Sequence, residues 1–372
     1  MEISNYIKTG TITLAFSYLF GSLIVPIVKN IFEKYQIYDF NDPRKQNKKL
    51  IVRMGGIAIF FSYLLSILFA RFFFLPIHVS NFDQIIFSSI LITSFLFFIL
   101  GFFDDFFQLS PIKRLICQIA FSSINWLFFF KITNINLSLF SYDIANININ
   151  NFFSLLFIIF WLVGITNAFN WLDGLDGLAA GISVLFSIAF LLHNMLANQL
   201  IPFYSSCALL GASLSFLKYN KYPAKIFMGD SGSNFLGINF AILSFFTFIT
   251  NKSFSEINDI TITNIGLNLV PSLLILLIPI LDMCFVIIKR LIDKKKIFFP
   301  DRNHIHHRLL KKGLSERKVV NIIYFLVTIS FLISFFGKPY LNFLSFGVTG
   351  FVLFKFCIKD NNLKYLSNLF KF

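Results

Sequence analysis

Apolar runs separated by polar or Pro/Gly breaks recur along the whole chain, at residues 11–31, 54–75, 85–103, 115–132, 152–169, 178–197, 201–217, 235–250, 267–288, 319–337 and 343–358. Each approaches the roughly 20 residues that a helix needs to cross a bilayer core. Backbone groups in lipid must be satisfied within the segment itself, so such runs are expected to be helices. The pattern therefore predicts an all-α polytopic integral membrane protein with about 11 (10–11) transmembrane helices. The first run lacks a basic leader and a small-residue cleavage site, so a retained helix is expected there rather than a signal peptide.

Composition narrows the picture. Charged residues make up 13% of the chain and mean hydropathy is +0.75, against roughly 25% charged residues in soluble domains. This excludes a soluble domain on an anchor and implies one membrane-embedded domain over 1–372. The four cysteines, Cys117, Cys207, Cys284 and Cys357, stand singly in predicted spans, so neither a disulfide framework nor a structural zinc is expected. The many phenylalanines are as readily a matter of genome composition as of function. The net charge of +14 would suggest nucleic acid in a soluble protein, but its placement argues against that partner. With the N-terminus outside, the inner segments are 32–53, 104–114, 170–177, 218–234, 289–318 and the C-terminal tail. Of the 32 Lys and Arg, only Lys8, Arg71, Lys131, Lys252 and Lys338 then fall outside, as the positive-inside rule requires. Asp104, Asp105, Asp173, Asp176, Asp230, Asp293 and Asp301 lie on the same inner side. A cleft facing the cytoplasm is expected there, since polar groups at membrane depth usually line functional cavities.

Four inner segments carry candidate chemistry. "GFFDDFFQLSPIKR" ends the third span on Asp104 and Asp105, at the negative end of a helix dipole, where a metal or basic partner must compensate them. "NAFNWLDGLDGLAAG" sets Asn167, Asn170, Asp173 and Asp176 at every third position, and such oxygens suit a hard cation such as Mg²⁺. An Asx-type turn explains one Asp-Gly but not two in tandem. "FMGDSGSNFLG" puts Asp230 and three glycines before a helix, a plausible backbone cradle for phosphate, although Asp and Ser are also ordinary N-caps. "FFPDRNHIHHRLLKKG" groups His304, His306 and His307 with Arg302, Arg308, Lys311 and Lys312; the added cations favour an anion over a second metal. Together the segments supply what phosphoryl transfer needs, a site for metal and fixed groups to align attack.

In order and spacing, "DDFFQLS", "NAFNWLDGLDGLAAG", "FMGDSGSNFLG" and "DRNHIHHRL" resemble the signature segments of the polyprenyl-phosphate N-acetylhexosamine-1-phosphate transferases, over roughly residues 10–340. The "DRNHIHHRL" form resembles the bacterial enzymes that load N-acetylglucosamine 1-phosphate onto undecaprenyl phosphate. Those enzymes begin O-antigen, common-antigen or teichoic-acid assembly at the cytoplasmic membrane. The phospho-N-acetylmuramoyl-pentapeptide branch ranks second.

The resemblance implies that Asp230 binds Mg²⁺, replaceable by Mn²⁺, with Asn170, Asp104 and Asp105 around metal and diphosphate. It implies that Asp173 and Asp176 hold the nucleotide, with Asn167 beside them, and that Phe227 stacks on uracil. His304, His306, His307 and Arg302 would contact phosphate. The first inner loop, "DFNDPRKQNKKLIVRMGG", carries Arg44 and Lys45 but departs from the pattern at Asn47, Leu50 and Val52. The implied partners are a UDP-N-acetylhexosamine, polyprenyl phosphate and the bilayer, with a homodimer allowed for. An intramembrane prenyltransferase and a transporter or lipid flippase are the rivals. The first lacks its third acid in "DDFFQ", and the second would need acids in mid-span.

Overall fold

The computed structural model describes residues 3–38, 51–74, 80–129, 131–132, 134–139, 142–148, 150–246, 261–262, 269–296 and 303–336. In chain order its elements begin with helices α1 (Ile3–Lys34), α2 (Gly55–Phe73), α3 (Asn81–Phe107) and α4 (Pro111–Phe128). Three short strands follow, β1 (Lys131–Ile132), β2 (Asn134–Leu139) and β3 (Tyr142–Asn148). Then come α5 (Asn151–Asn170), α6 (Leu178–Leu196), α7 (Leu200–Asn220), α8 (Gly229–Phe246), β4 (Thr261–Ile262), α9 (Leu269–Ile275), α10 (Leu277–Ile292), α11 (Ile305–Lys311) and α12 (Glu316–Phe336). The strands are small additions to a helical protein: β2 and β3 form an antiparallel hairpin in the Asn-rich connection between α4 and α5, and β1 pairs with β4 in parallel.

Ten of the predicted apolar runs coincide with helices; the run at 343–358 lies outside the described residues. Among the described residues, seven helices are long and apolar enough to cross a membrane: α1, α2, α3, α5, α6, α7 and α12. The expected single span at 267–288 is two helices interrupted at Leu276. Pro279 accounts for this, because it has no N–H for the carbonyl four residues back at Ile275 and its ring crowds that carbonyl.

Local sequence sets where the helices begin. Ser80, Ser110 and Asn150 each accept a backbone N–H at the start of α3, α4 and α5, which satisfies a donor that the helix leaves free. Pro111 opens α4, where its missing N–H is harmless. Gly177, with φ of +78°, starts α6, a conformation that a side chain would oppose.

α7 and α8 form the interior. α1, α2 and α6 pack on α7, and α3, α5 and α2 pack on α8. Both central helices are buried along nearly their whole length and are rich in Ser, Gly, Ala and Asn, which let helix backbones approach closely where lipid supplies no hydrophobic drive. At Gly211 of α7 an added Cβ would run into the backbone of α1. The outer helices turn Leu, Ile and Phe outward, as a lipid-facing surface requires. The C-terminal ends of α3 and α5 and the N-terminal ends of α2 and α8 meet at one end of this bundle, and the polar groups gather there.

Candidate active site

The site is built on glycines. Residues 52–56 run alongside 227–228: Phe227 N–H donates to Val52 O (2.8 Å), Gly55 N–H to Phe227 O (2.9 Å) and Gly56 N–H to Met228 O (2.8 Å). Gly101 of α3 lies against the backbone of Asp230 and Ser231, and Gly56 lies against Gly232. Gly229 has φ of +75°, and a Cβ there would sit 2.6 Å from Arg53 O and 2.7 Å from an Asp105 oxygen. These close approaches set the ends of α2, α3 and α8 around the carboxylate of Asp230.

Asp104 and Asp105 are buried at the end of α3. The compensating positive partner expected there is threefold. Asp105 receives the first backbone donors of α8, Asp230 N–H at 2.7 Å and Ser231 N–H at 2.9 Å, and lies 3.4 Å from Arg53 Nε. Asp104 receives Leu109 N–H at 2.7 Å and Arg114 at 2.6 Å. The negative end of α3 is thus tied to the positive end of α8 and to two guanidiniums. The start of "GDSGSNFLG" is an anion site, as its composition suggested, but the anion it holds is the Asp105 carboxylate.

Asp230 differs in kind, because side chains that can move hold its carboxylate. Arg53 donates to Oδ2 at 2.5 Å, Asn170 Nδ2 donates to Oδ1 at 2.7 Å, and Arg114 lies 3.8 Å from Oδ1. Asn170 also donates to Ser233 Oγ at 2.7 Å. Beneath them, Asn167 donates to Gln118 Oε1 (2.7 Å), Gln118 to Asn234 Oδ1 (3.1 Å) and Asn234 to the Asp230 carbonyl (2.9 Å). Asn167 therefore faces helix partners, and its amide braces α4, α5 and α8.

The tandem "DGLDG" forms the turn between α5 and α6. Asp176 accepts Ala224 N–H at 2.8 Å, which ties this turn to the segment leading into α8. Asp173 is partly buried on the same turn. A Cβ on Gly174 would strike the His306 imidazole, so the histidine segment covers the aspartate turn directly. His304 caps α11, its Nδ1 lies 2.8 Å from Asp282 Oδ2, and its ring meets Trp171 edge to face at 5.5 Å. His306 stacks on His304 at 5.7 Å and lies 4.2 Å from His307. Burial, reinforced by His307 and His304, holds the His306 imidazole well below the usual histidine range. The expected residues Arg44, Lys45 and Arg302 lie outside the described residues.

The structure adds residues that sequence reasoning did not single out: Arg53, Arg114, Gln118 and Asp282. Arg53 and Arg114 were hidden among basic residues that topology alone explains, and Asp282 was an isolated acid inside an apolar run.

The donor set fits Mg²⁺. The side-chain oxygens around Asp230 belong to the carboxylates of Asp104 and Asp105, the amides of Asn170 and Asn234 and the hydroxyl of Ser233, hard donors of the kind this ion prefers. Among the described residues no three His, Cys, Asp or Glu side chains form a ready metal cage.

Comparison with known proteins identifies the family. The family model described as glycosyl transferase family 4 matches residues 87–248, which carry Asp104, Asp105, Asn170 and Asp230. The chain is 34% identical over 303 residues to a probable undecaprenyl-phosphate N-acetylglucosaminyl 1-phosphate transferase of Bacillus subtilis, covering 81% of this chain and 77% of that protein. It is 32% identical over 300 residues to a decaprenyl-phosphate N-acetylglucosaminephosphotransferase of Mycobacterium leprae, covering 74% and 71%. A phospho-N-acetylmuramoyl-pentapeptide-transferase of Staphylococcus haemolyticus is 29% identical over 336 residues, covering 87% and 96%. With carboxylates, amides and histidines brought to one end of a multi-pass helical bundle and these relatives spanning most of its length, the chain belongs to glycosyl transferase family 4, the polyprenyl-phosphate N-acetylhexosamine-1-phosphate transferases.

Proposed function

We propose that this protein transfers N-acetylglucosamine 1-phosphate from UDP-N-acetylglucosamine to undecaprenyl phosphate, releasing UMP, as the first step of a cell-envelope glycan. The reaction would occur at the cytoplasmic face of the bacterial inner membrane, with the N-terminus outside and the C-terminus inside. The observation that carries the reading is the Asp230 carboxylate, held by Arg53 and Asn170 at the start of α8, at the end of the bundle where α2, α3, α5 and α8 meet.

In this reading Asp230 and Asn170 hold Mg²⁺, with Asp104 and Asp105 close by; the bound ion would neutralise charge on the donor diphosphate. Arg53 and Arg114 turn from Asp230 toward phosphate oxygens, while Asp105 keeps α8 in place beneath them. Asp173 and Asp176 lie where the nucleotide would rest, with Phe227 beside uracil, and the histidine segment meets the lipid phosphate. An oxygen of the lipid phosphate attacks the sugar-bearing phosphorus. That P–O bond forms as the bond to UMP breaks, and UMP leaves with its electron pair. A phosphate monoester has its second pKa near ~6 and is largely dianionic at neutral pH, so the nucleophile needs little help from a base.

The oxygens of Asp105 accept two backbone donors, and those of Asp104 accept Leu109 and Arg114. This favours direct displacement over a phospho-aspartate, because an attacking carboxylate would have to give up the hydrogen bonds that hold α8 and the end of α3 in place. In a single turnover with sugar-phosphate-labelled donor and no lipid, no UMP is expected; UMP release with label kept on protein would refute direct displacement. Phospho-N-acetylmuramoyl-pentapeptide transfer is the second reading, favoured by the Staphylococcus haemolyticus relative. Mass spectrometry of the lipid product formed from a panel of UDP-sugars decides between the two, and a metal-dependent release of UMP from the purified protein tests the reaction class.

A further inference from the structure

We propose that Asp282 is a positioning residue that fixes His304, so that the Nε2 of this one histidine meets the phosphate-bearing substrate. The inference rests on the proposed transfer reaction. Asp282 lies in α10 among the buried Leu277, Ile278, Pro279 and Val286, and only 5% of it is exposed. A lone buried carboxylate is costly unless it is hydrogen-bonded. Both of its oxygens are engaged by the histidine segment: Oδ1 accepts Ile305 N–H at 2.6 Å, and Oδ2 lies 2.8 Å from His304 Nδ1.

An ionised carboxylate accepts and does not donate, so the proton between the pair sits on His304 Nδ1. Nε2 is then the ring nitrogen left for an external oxygen, the arrangement by which a carboxylate sets the tautomer and ring angle of a working histidine. Trp171 stands edge-on to the same ring, and the guanidinium of Arg290 lies 4.9 Å over the Trp171 ring. The ring is thereby gripped between α10 and the residue that follows Asn170.

The neighbouring histidines are placed differently. His306 is 1% exposed, its Nδ1 has no partner, and its ring lies against Gly174, so it is a packing wedge between histidine segment and aspartate turn. His307 touches His306. Two histidines that look equivalent in "HIHH" thus have separate tasks: His304 is set against Asp282, and His306 fills the space that Gly174 leaves.

The test uses the full-length protein in nanodiscs, labelled with ¹⁵N-histidine, with steady-state transfer measured alongside. In the wild type, the His304 signal, identified by its loss in His304→Gln, should show a protonated Nδ1. Asp282→Asn keeps an oxygen for Ile305 N–H but offers an N–H to His304, so the proton should move to Nε2. The KM for undecaprenyl phosphate should then rise about tenfold or more, with the KM for UDP-N-acetylglucosamine unchanged. Adding Asp282→Asn to His304→Gln should cost nothing further. A bare Nδ1 in the wild type overturns the proposal, as does an unchanged lipid KM in Asp282→Asn or multiplying losses in the double variant. Absence of transfer by the wild type would instead sink the proposed reaction, and the ¹⁵N signal would still decide the pairing.

Discussion

Replacing Asp105 by asparagine isolates the contact that joins α3 to α8. The carboxylate accepts Asp230 N–H and Ser231 N–H at 2.7 and 2.9 Å and lies 3.4 Å from Arg53 Nε. Asparagine has nearly the same shape but one acceptor oxygen, and its NH₂ would face a backbone N–H. One charge-assisted hydrogen bond is lost, worth about 1.5–3 kcal/mol. The charge at the helix N-terminus is lost with it, worth about 0.3–1 kcal/mol and up to ~2 in buried geometry. Their sum is about 2–5 kcal/mol. If it falls on the transition state, at ~1.36 kcal/mol per factor of ten, kcat/KM drops by about 30-fold to several thousandfold. The effect should appear in kcat, since Asp230 is displaced rather than a substrate contact removed. Asp104→Asn provides the comparison. Its oxygen can still accept Leu109 N–H, and Arg114 is already 3.8 Å from Asp230, so a loss of only about tenfold is expected. The assay is transfer of labelled sugar phosphate to lipid phosphate by purified full-length protein, with size exclusion and thermal melting to verify folding. Asp105→Asn turnover within threefold of wild type, in a folded protein, would refute the reasoning.

Asp230→Ala should abolish transfer at every Mg²⁺ concentration while the protein still inserts; activity restored by excess metal would show that Asp230 is not the principal ligand. Gly229→Ala forces a side chain into a left-handed conformation, costing about 1–2 kcal/mol, and sets its Cβ 2.6 Å from Arg53 O and 2.7 Å from an Asp105 oxygen. Both melting temperature and turnover should fall, and a variant with wild-type melting would contradict the packing. His306 gives a pH dependence of stability. Its folded pKa lies below the unfolded value of about 6.5, so the unfolded chain binds the proton first. The stability this group contributes is present above about pH 6.5 and is lost as pH falls toward the folded pKa. From pH 8 to 5 the melting temperature of wild type should therefore fall relative to that of His306→Phe; a constant difference between the two would refute a buried neutral imidazole.

The parts of this fold that could be read from sequence are those where one physical rule acts alone. Hydrophobic length finds the helices, and the cluster of acids at their ends finds the site, because carboxylates beside lipid need a reason to be there. The parts that escaped are those where two rules give the same residue. Arg53 and Arg114 satisfy the positive-inside rule merely by being basic, so their pairing with Asp105, Asp230 and Asp104 adds nothing visible to the sequence pattern. The turn between α5 and α6 shows the opposite case. Asn170, Asp173 and Asp176 stood out by spacing, yet only packing separates their tasks. Asn170 reaches Asp230, and Asp176 binds the backbone at Ala224. Gly174 admits His306 where any side chain would bar it. Asp282 was legible in principle, as the single acid in the apolar run 267–288. A charge buried at such a place needs a partner, but the partner lies 22 residues further along the chain, and spacing alone cannot name it. The same argument orders the experiments. Residues found by a single rule are best tested by removal. Those whose charge serves both topology and chemistry, Arg53 above all, need a substitution that keeps the charge and alters the geometry. Arg53→Lys leaves topology intact but cannot span Asp105 and Asp230 with one planar group, so it should lose turnover while inserting normally. Full activity in that variant would mean that Arg53 is there for orientation in the membrane alone.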